Sequence, residues 1–368
     1  MISVFTGVVL KISRTPLSIG LALLVILFCG PVLAAKPLPA ATDEPSDVGD
    51  KPSGSIAAPY SGRGQQDIID RWKALKPKAN GSIYNDQPSW QEPYTAGSLS
   101  ADHHQDGVNS VNFMRYLAGL PDDVVAHEPW MEEAQHAAVL LKSAGSLTHR
   151  PPQLPGITDP FYDLACKACS SSNLAYGFSQ TGDVVRLDTA ADSVVGFMNE
   201  RGNEQTVGHR RWILNPAMKK TAFGWCESYS VMKAFDRSRS LAFQYNLIAW
   251  PPPGDFPQQL CPQHLPWSVS LTHNHYRPTG QETVTMVRQR DNKTWQLSVS
   301  NKPADGLFLV DSKGFGVPYC IIFRPDKSLN YLPADRFKIT ITGLEMDGAA
   351  AEISYTTTLF DMPEIVGS

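Results

Sequence analysis

The sequence predicts an α+β protein in which a helical region precedes a strand-rich region. Between residues 106 and 223, apolar side chains recur at the three- and four-residue spacing of amphipathic helices. From about Leu241 that periodicity disappears, and short apolar and β-branched runs alternate with turn pairs such as Asp291-Asn292. A chain of 368 residues is long enough for two domains.

The first 35 residues have the layout of a secretory signal peptide. Lys11 and Arg14 precede an apolar run from Leu17 to Phe28, and small residues continue to Ala35. The apolar run is short for a bilayer span of about 20 residues. We therefore expect cleavage, no transmembrane segment in the mature chain, and an extracellular or periplasmic location.

Composition and periodicity divide the rest of the chain. Residues 36–66 are rich in Pro, Ala, Gly, Ser and Asp, which predicts a flexible linker because such a segment buries little apolar surface. Residues 67–105 are predicted to form an ordered segment that leads into the first domain and is not a separate domain. A first domain is expected at 106–235 and a β-sandwich domain at 241–363.

Three helices are predicted in the first domain. The first ends at Gly119, and the second runs from Trp130 to Gly145 with small apolar residues on its buried face. The third spans 190–200, with Asp188 or Thr189 as its N-cap. A cluster of acids and histidines at 102–106 could bind a metal, but we expect it in a solvated loop before the first helix.

Six strands are predicted in the second domain, where regular turn signals are typical of an all-β sandwich. The segment 250–254 contains three consecutive prolines and predicts a stiff surface segment. Two roles are open for the aromatic residues Trp267, Tyr276 and Trp295: they could form a face that stacks on sugars, or they could pack in the core. The predicted strands are Val284–Arg288, Trp295–Ser300, Leu307–Val310, Cys320–Phe323, Phe337–Thr342 and Ile353–Phe360.

Five cysteines follow the predicted signal peptide, an odd number for an oxidising compartment. Cys166 and Cys169 form a C-x-x-C pair, which could be a zinc half-site, a redox pair or a local disulfide. We favour the disulfide, because the pair stands in a loop-like stretch and no second C-x-x-C completes a zinc site.

Charge and missing motifs exclude several classes of function. The whole chain has a net charge of −4, and removal of Lys11 and Arg14 with the signal peptide makes it −6. Such a charge argues against a nucleic-acid surface. No Gly-x-Ser-x-Gly elbow or His-Glu-x-x-His motif occurs in the sequence.

Residues 107–225 resemble the CAP superfamily, which comprises cysteine-rich secretory, antigen 5 and pathogenesis-related proteins, and in particular its bacterial secreted branch. The motifs that carry the resemblance appear in the family's order. They are Asn112 and Arg115 before Gly119-Leu120, the Ala-rich stretch 134–149 ending in His149, Ser172-Asn173-Leu174-Ala175, Phe197-Met198-Asn199-Glu200 and Gly208-His209.

The resemblance implies an α-β-α sandwich whose central cleft is lined by two histidines and two acids. Carried over by position, the cleft would contain His149, Glu200 and His209, with Asn173 beside it. Ser172 stands where the family has Glu, so one carboxylate is missing. In some members the histidine pair binds zinc or another divalent ion, which assigns His149 and His209 as metal ligands.

We therefore expect a CAP-like α-β-α sandwich followed by an Ig-like β-sandwich. The leading hypothesis is a non-enzymatic secreted binding module whose cleft takes a small, apolar or lipid ligand, with a divalent metal as an option. The β domain would serve adhesion or spacing and could bind an extracellular partner.

Two alternatives stay open. One is a metal-assisted hydrolase of cell-wall or peptide bonds, with His149 and His209 as ligands and Glu200 as the base. The other is a structural or interaction protein, in which these side chains only hold the helices in register. Arg210 and Arg211 could clamp an anion beside His209, or pair with Glu200 or Glu204.

Overall fold

The computed structural model describes residues 60–177, 189–240, 244–261 and 264–365, and all of them belong to one compact unit. The predicted signal peptide 1–35 lies outside the described residues, as does the predicted linker up to residue 59. The last residues of the predicted linker are packed against the rest of the structure. The Tyr60 hydroxyl donates to the Leu117 carbonyl at 3.1 Å, and Arg63 forms a backbone β-bridge with Gly254.

The fold is mixed α+β, as the sequence predicts. Ser100 caps the helix over Ala101–Leu117 by accepting from the His103 amide, and Thr189 caps the helix over Ala190–Asn199 by accepting from the Asp192 amide. The elements of the helical region are α1 (Gln65–Leu75), β1 (Tyr84–Asp86), β2 (Ser98–Leu99), α2 (Ala101–Leu117), β3 (Val125–Ala126), α3 (Glu128–Ala144), α4 (Asp159–Cys169), β4 (Ser172–Tyr176), α5 (Ala190–Asn199), α6 (Gly208–Ile213), β5 (Lys220–Thr221), β6 (Phe223–Cys226) and β7 (Tyr229–Lys233).

Three layers make up the helical region. The antiparallel sheet of order β4-β7-β6 separates α3 and α4 on one face from α2 and α5 on the other. Leu174 and Val231 pack with α3 and α4, whereas Phe223 and Met232 point to the opposite core. Gly224 allows α3 to approach closely, because a Cβ there would lie 2.0 Å from the Ala134 carbonyl oxygen.

The strand-rich region forms two facing sheets, one of order β14-β15-β10-β8 and one of order β13-β12-β16-β17-β9 with β11 beside β16. All six predicted strands are confirmed within a few residues. The strands are β8 (Leu247–Trp250), β9 (Gly254–Pro257), β10 (Trp267–Leu271), β11 (Tyr276–Arg277), β12 (Thr283–Arg288), β13 (Lys293–Leu297), β14 (Leu307–Asp311), β15 (Tyr319–Arg324), β16 (Arg336–Met346) and β17 (Ala349–Phe360).

Aromatic side chains fill the space between these sheets. Trp267 on β10 contacts Phe337 on β16, with ring centroids 5.6 Å apart. Trp267, Tyr276 and Trp295 are all buried, so they form core and not a sugar-stacking face. The prolines 251–253 are buried as well, which corrects the expected surface segment; the Pro252 carbonyl accepts from Thr357.

Two consecutive arginines of α6 join the helical and strand-rich regions. Arg210 donates to the Pro266 carbonyl at 3.0 Å and to the Ser268 hydroxyl at 2.9 Å. Arg211 forms a 2.5 Å ion pair with Asp311. Both arginines are almost fully buried, so these contacts fix α6 against the two-sheet region.

Two local predictions are wrong. The 102–106 cluster lies inside α2, where His103, His104 and Asp106 are buried and Asp106 accepts from the amides of residues 78 and 79. Cys166 and Cys169 lie in α4 and not in a loop. The five cysteines that the structure describes are all free and buried, so the expected disulfide is not formed.

None of the described helices is long and apolar enough to cross a membrane.

Candidate functional site

Glu200 and His209, two residues that the sequence places in the cleft, meet where α5 is followed by a short loop and α6. Glu200 follows the last residue of α5 in the left-handed conformation, with φ of 58°. The turn that begins there brings the chain back so that His209, the second residue of α6, faces the Glu200 carboxylate. The loop between them therefore builds the pair.

The Glu200 carboxylate is fully buried and accepts three hydrogen bonds. Oε2 lies 3.0 Å from Nδ1 of His209 and 2.7 Å from the Asn203 amide nitrogen, which donates to it. Oε1 accepts from the Arg210 backbone N–H at 2.5 Å. These donors satisfy a group that would otherwise be costly to bury.

Asn203 is a site residue that the sequence reasoning missed. Its side-chain oxygen accepts from the Thr206 hydroxyl at 2.8 Å while its amide nitrogen donates to Glu200. The same amide nitrogen lies 3.4 Å from Nδ1 of His209, so Asn203 is next to both members of the pair. The sequence offers one signal for this role: an amide side chain stands three residues after Glu200.

The Arg210 side chain leaves the site altogether. Besides its contacts in the strand-rich region, it donates to the Met198 carbonyl at 2.8 Å. Burial lowers the pKa of Arg210 to about 10, and the negative charge of Glu200 acts in the opposite direction. The guanidinium groups of Arg210 and Arg211 form neither an anion clamp nor the alternative pairing with Glu200 or Glu204, because they bind acceptors away from His209.

Asn173 and Ser172 occupy different environments on β4. The Asn173 amide donates to the His209 carbonyl at 3.1 Å, so it supports the backbone of the site. Ser172 is completely buried, and its hydroxyl has no hydrogen-bond partner. The side chain at the position where the resemblance would place a Glu is thus a buried, unpaired hydroxyl.

His149 lies in the exit turn after α3, as predicted. It is exposed, and its Nδ1 contacts the Cys169 carbonyl oxygen at 2.7 Å. It is not among the residues that line the cavity beside His209. Within the described parts of the chain, no group of three His, Cys, Asp or Glu residues could hold a metal ion, so a metal at His149 and His209 stays a prediction.

A cavity of about 570 Å³ opens beside the Glu200–His209 pair. Leu147 and Tyr176 contribute to its wall while each remains 46% exposed, so they lie at its mouth. Phe197 packs against the His209 ring, with centroids 5.3 Å apart. The lining residues are Leu147, Leu174, Ala175, Tyr176, Gly177, Gly196, Phe197, Asn199, Glu200, Arg201, Gly202, Asn203 and His209.

The hydrogen bonds define the chemistry available to His209. A carboxylate only accepts hydrogen bonds, so the proton of the neutral imidazole resides on Nδ1 and the Nε2 lone pair is free. The His209 side chain is 28% exposed, and no described residue bonds to Nε2. The cavity therefore contains an oriented imidazole acceptor beside a largely apolar wall.

Neither a known protein family, nor a curated protein, nor a solved structure matches this chain, so the function has to be argued from the site itself.

Proposed function

We propose that the protein is a secreted, non-enzymatic binding module whose cavity takes a small ligand with an apolar body. One observation carries this proposal: a 570 Å³ cavity with Leu, Ala, Tyr and Phe side chains in its wall contains the oriented Glu200–His209 pair. Ligand sites are typically concave and mostly apolar, with a few convergent polar groups that set orientation.

We further propose a CAP-like fold for the helical region and an Ig-like sandwich for the strand-rich region. The order of helix, sheet and helix layers around β4, β7 and β6 supports the first assignment. Two facing, mainly antiparallel sheets with an aromatic core support the second. The second region would present a surface for adhesion, spacing or an extracellular partner.

The contacts of Glu200 favour binding over hydrolysis. A general base must reach a water or a substrate proton, yet both oxygens of Glu200 accept from protein donors and its side chain is fully buried. The carboxylate is therefore placed to orient His209. The hydrolase alternative would also need His149 and His209 to share a metal ion.

A cavity-filling variant tests the proposal. Ala175 on β4 lines the cavity, and Ala175→Leu should occupy part of it. Ala351→Leu is the matched control, because Ala351 is also a partly buried strand alanine packed against the core. The probe is N-phenyl-1-naphthylamine, a neutral apolar dye whose fluorescence rises on binding.

We expect saturable one-to-one dye binding to the unsubstituted protein and to Ala351→Leu, and at least tenfold weaker binding to Ala175→Leu. Equal affinity in all three proteins would place the dye elsewhere and contradict the proposal. If the dye does not bind and His209→Ala lowers only thermal stability, the structural alternative is favoured.

A further inference from the structure

The polar groups of the cavity differ in what they can still offer a ligand. Both oxygens of Glu200 and both polar atoms of the Asn203 side chain are engaged within the protein. Nε2 of His209 has no partner among the described residues. It is therefore the acceptor best placed to interact with a ligand head.

The hydrogen bond between His209 and Glu200 determines whether Nε2 can donate to a ligand or only accept from it. Because Nδ1 donates to the buried carboxylate, Nε2 of the neutral ring accepts and cannot donate. A ligand carboxylate has only acceptor oxygens, so it could not form a hydrogen bond with the Nε2 lone pair. It would also bring a second negative charge close to Glu200. Anionic heads are thus disfavoured at this point of the cavity.

The remaining polar side chains in the cavity wall do not reverse this preference. Arg201 is the one cationic side chain among the lining residues, but it is exposed, so water and salt screen its charge, and its guanidinium group points to Nε2 of His264 at 2.9 Å. Asn199 offers both donors and an acceptor, and so it has no preference of its own. Tyr176 and Leu147 lie at the mouth, where an apolar ligand body would contact them.

We propose that the cavity selects ligands whose apolar body carries a hydrogen-bond-donating head, such as a hydroxyl group, which donates to Nε2 of His209. This inference rests on the proposed function, since it names the class of ligand that the cavity binds. It excludes fatty-acid-like anions as preferred ligands and includes neutral alcohols.

Two isomers provide the sharpest test. 1-Octanol and heptyl methyl ether have the same atoms, but only the alcohol can donate a hydrogen bond. Octanoate adds the anionic head, and titrations at pH 8 keep it ionised. Displacement of N-phenyl-1-naphthylamine gives the three affinities on one scale.

We expect 1-octanol to bind about tenfold more tightly than the ether, the usual size of one hydrogen bond, and more tightly still than octanoate. In His209→Phe, which keeps a flat ring but removes Nε2, the alcohol and the ether should bind equally. Octanoate binding as tightly as 1-octanol would overturn the inference and leave the proposed function standing. If neither the dye nor any of the three compounds binds, the proposed function itself fails.

A second measurement does not depend on how well the variant folds. In the unsubstituted protein, imidazole ¹⁵N spectra should show His209 as the Nδ1–H tautomer, and the Nε2 resonance should shift upfield when 1-octanol is added. The ether should produce no such shift. An Nε2–H tautomer, or equal shifts with both isomers, would contradict the inference.

Discussion

Nδ1 of His209 lies 3.0 Å from Oε2 of Glu200, and this contact places a buried charge directly behind the ring that faces the cavity. The Glu200 carboxylate is fully buried and accepts hydrogen bonds from protein donors. It nevertheless determines which imidazole nitrogen of His209 carries the proton. In the proposed binding mode, His209 would contact the ligand while Glu200 sets the polarity of that contact.

Glu200→Gln should destabilise the protein and disturb His209 together. A glutamine has one acceptor oxygen in place of two, and its NH₂ group would meet donors from Asn203, His209 or Arg210. We expect the free energy of unfolding to fall by about 2–3 kcal/mol in urea denaturation. Glu204→Gln, at a half-buried side chain in the same loop, should change it by less than about 0.5 kcal/mol. An equal loss of unfolding free energy in the two variants would show that the Glu200 hydrogen bonds do not stabilise the protein more than an ordinary surface residue does.

Ser172→Ala should be neutral or stabilising. The hydroxyl of Ser172 is buried without a partner, so its removal relieves a desolvation cost and leaves almost no cavity. We expect a gain of up to about 1 kcal/mol by thermal or urea unfolding, with dye affinity unchanged. A loss of stability or of dye binding would mean that the hydroxyl has a partner, such as a bound water, or contacts the ligand.

His104 should make the protein less stable in mild acid. Burial lowers its pKa to about 4, whereas an unfolded histidine titrates near 6.5. The unfolded state therefore binds the proton first, so stability is complete above about pH 6.5 and falls by roughly 3 kcal/mol as the pH drops to about 4.

The comparison of His104→Gln with His136→Gln isolates that contribution. Carboxylates titrate in every variant, so the relevant quantity is the difference in slope of unfolding free energy against pH between 6.5 and 4. The slope should be shallower for His104→Gln than for the control His136→Gln, at a partly exposed histidine of α3 whose ring contacts Phe161. Identical slopes would show that His104 titrates normally in the folded state.

The cysteines should be inert until the protein unfolds. All five described thiols are buried, and burial raises the pKa values of Cys166, Cys169, Cys226, Cys261 and Cys320, which keeps them in the unreactive thiol form. Ellman's reagent at pH 8 should detect almost none of the five in the native protein expressed without residues 1–35, and all five in denaturant. A count of three or one in denaturant, without reductant, would reveal disulfides that the structure does not contain.

Arg210→Met should lower stability by about 3 kcal/mol. Methionine can fill the space of the arginine stem, but the Met198 and Pro266 carbonyls lose a charged donor in a buried region. Lys338→Met, at an exposed position of β16, is the control and should have little effect. A double-mutant cycle with Ser268→Ala should yield a coupling energy, because the Ser268 hydroxyl accepts from Arg210 directly. A coupling of zero would contradict the direct contact.

Alternating and continuously apolar runs predict strands such as β12, β16 and the fully buried β15, whereas β10 and helix α4 are missed. Strands β12 and β16 alternate between the core and solvent, so their pattern is readable. Strand β10 is buried throughout despite Ser268 and Ser270, because a partner such as Arg210 satisfies a hydroxyl that the sequence suggests is exposed. Helix α4 was missed because Pro160, which is compatible with a first turn, looks like a helix breaker.

Motif order indicates Glu200, His209 and Asn173, which the structure brings together, but it does not indicate Asn203. Glu200 and His209 are nine positions apart and one turn joins them, so the motif order indicated both. The acceptors of Arg210 and Arg211 in the strand-rich region lie 56 to 106 residues away. No local pattern specifies such partners, so those side chains were expected to bind nearby acids or an anion.

The placement of Arg210 and Arg211 also limits how this chain can evolve. Both guanidinium groups are inserted into the strand-rich region from the helix that carries His209. Recombination that replaced one region alone would bury two positive charges among unrelated side chains, at a cost of several kcal/mol each. We therefore expect the two regions to be inherited as a single unit, and changes around the cavity to arise by point substitution and not by exchange of modules.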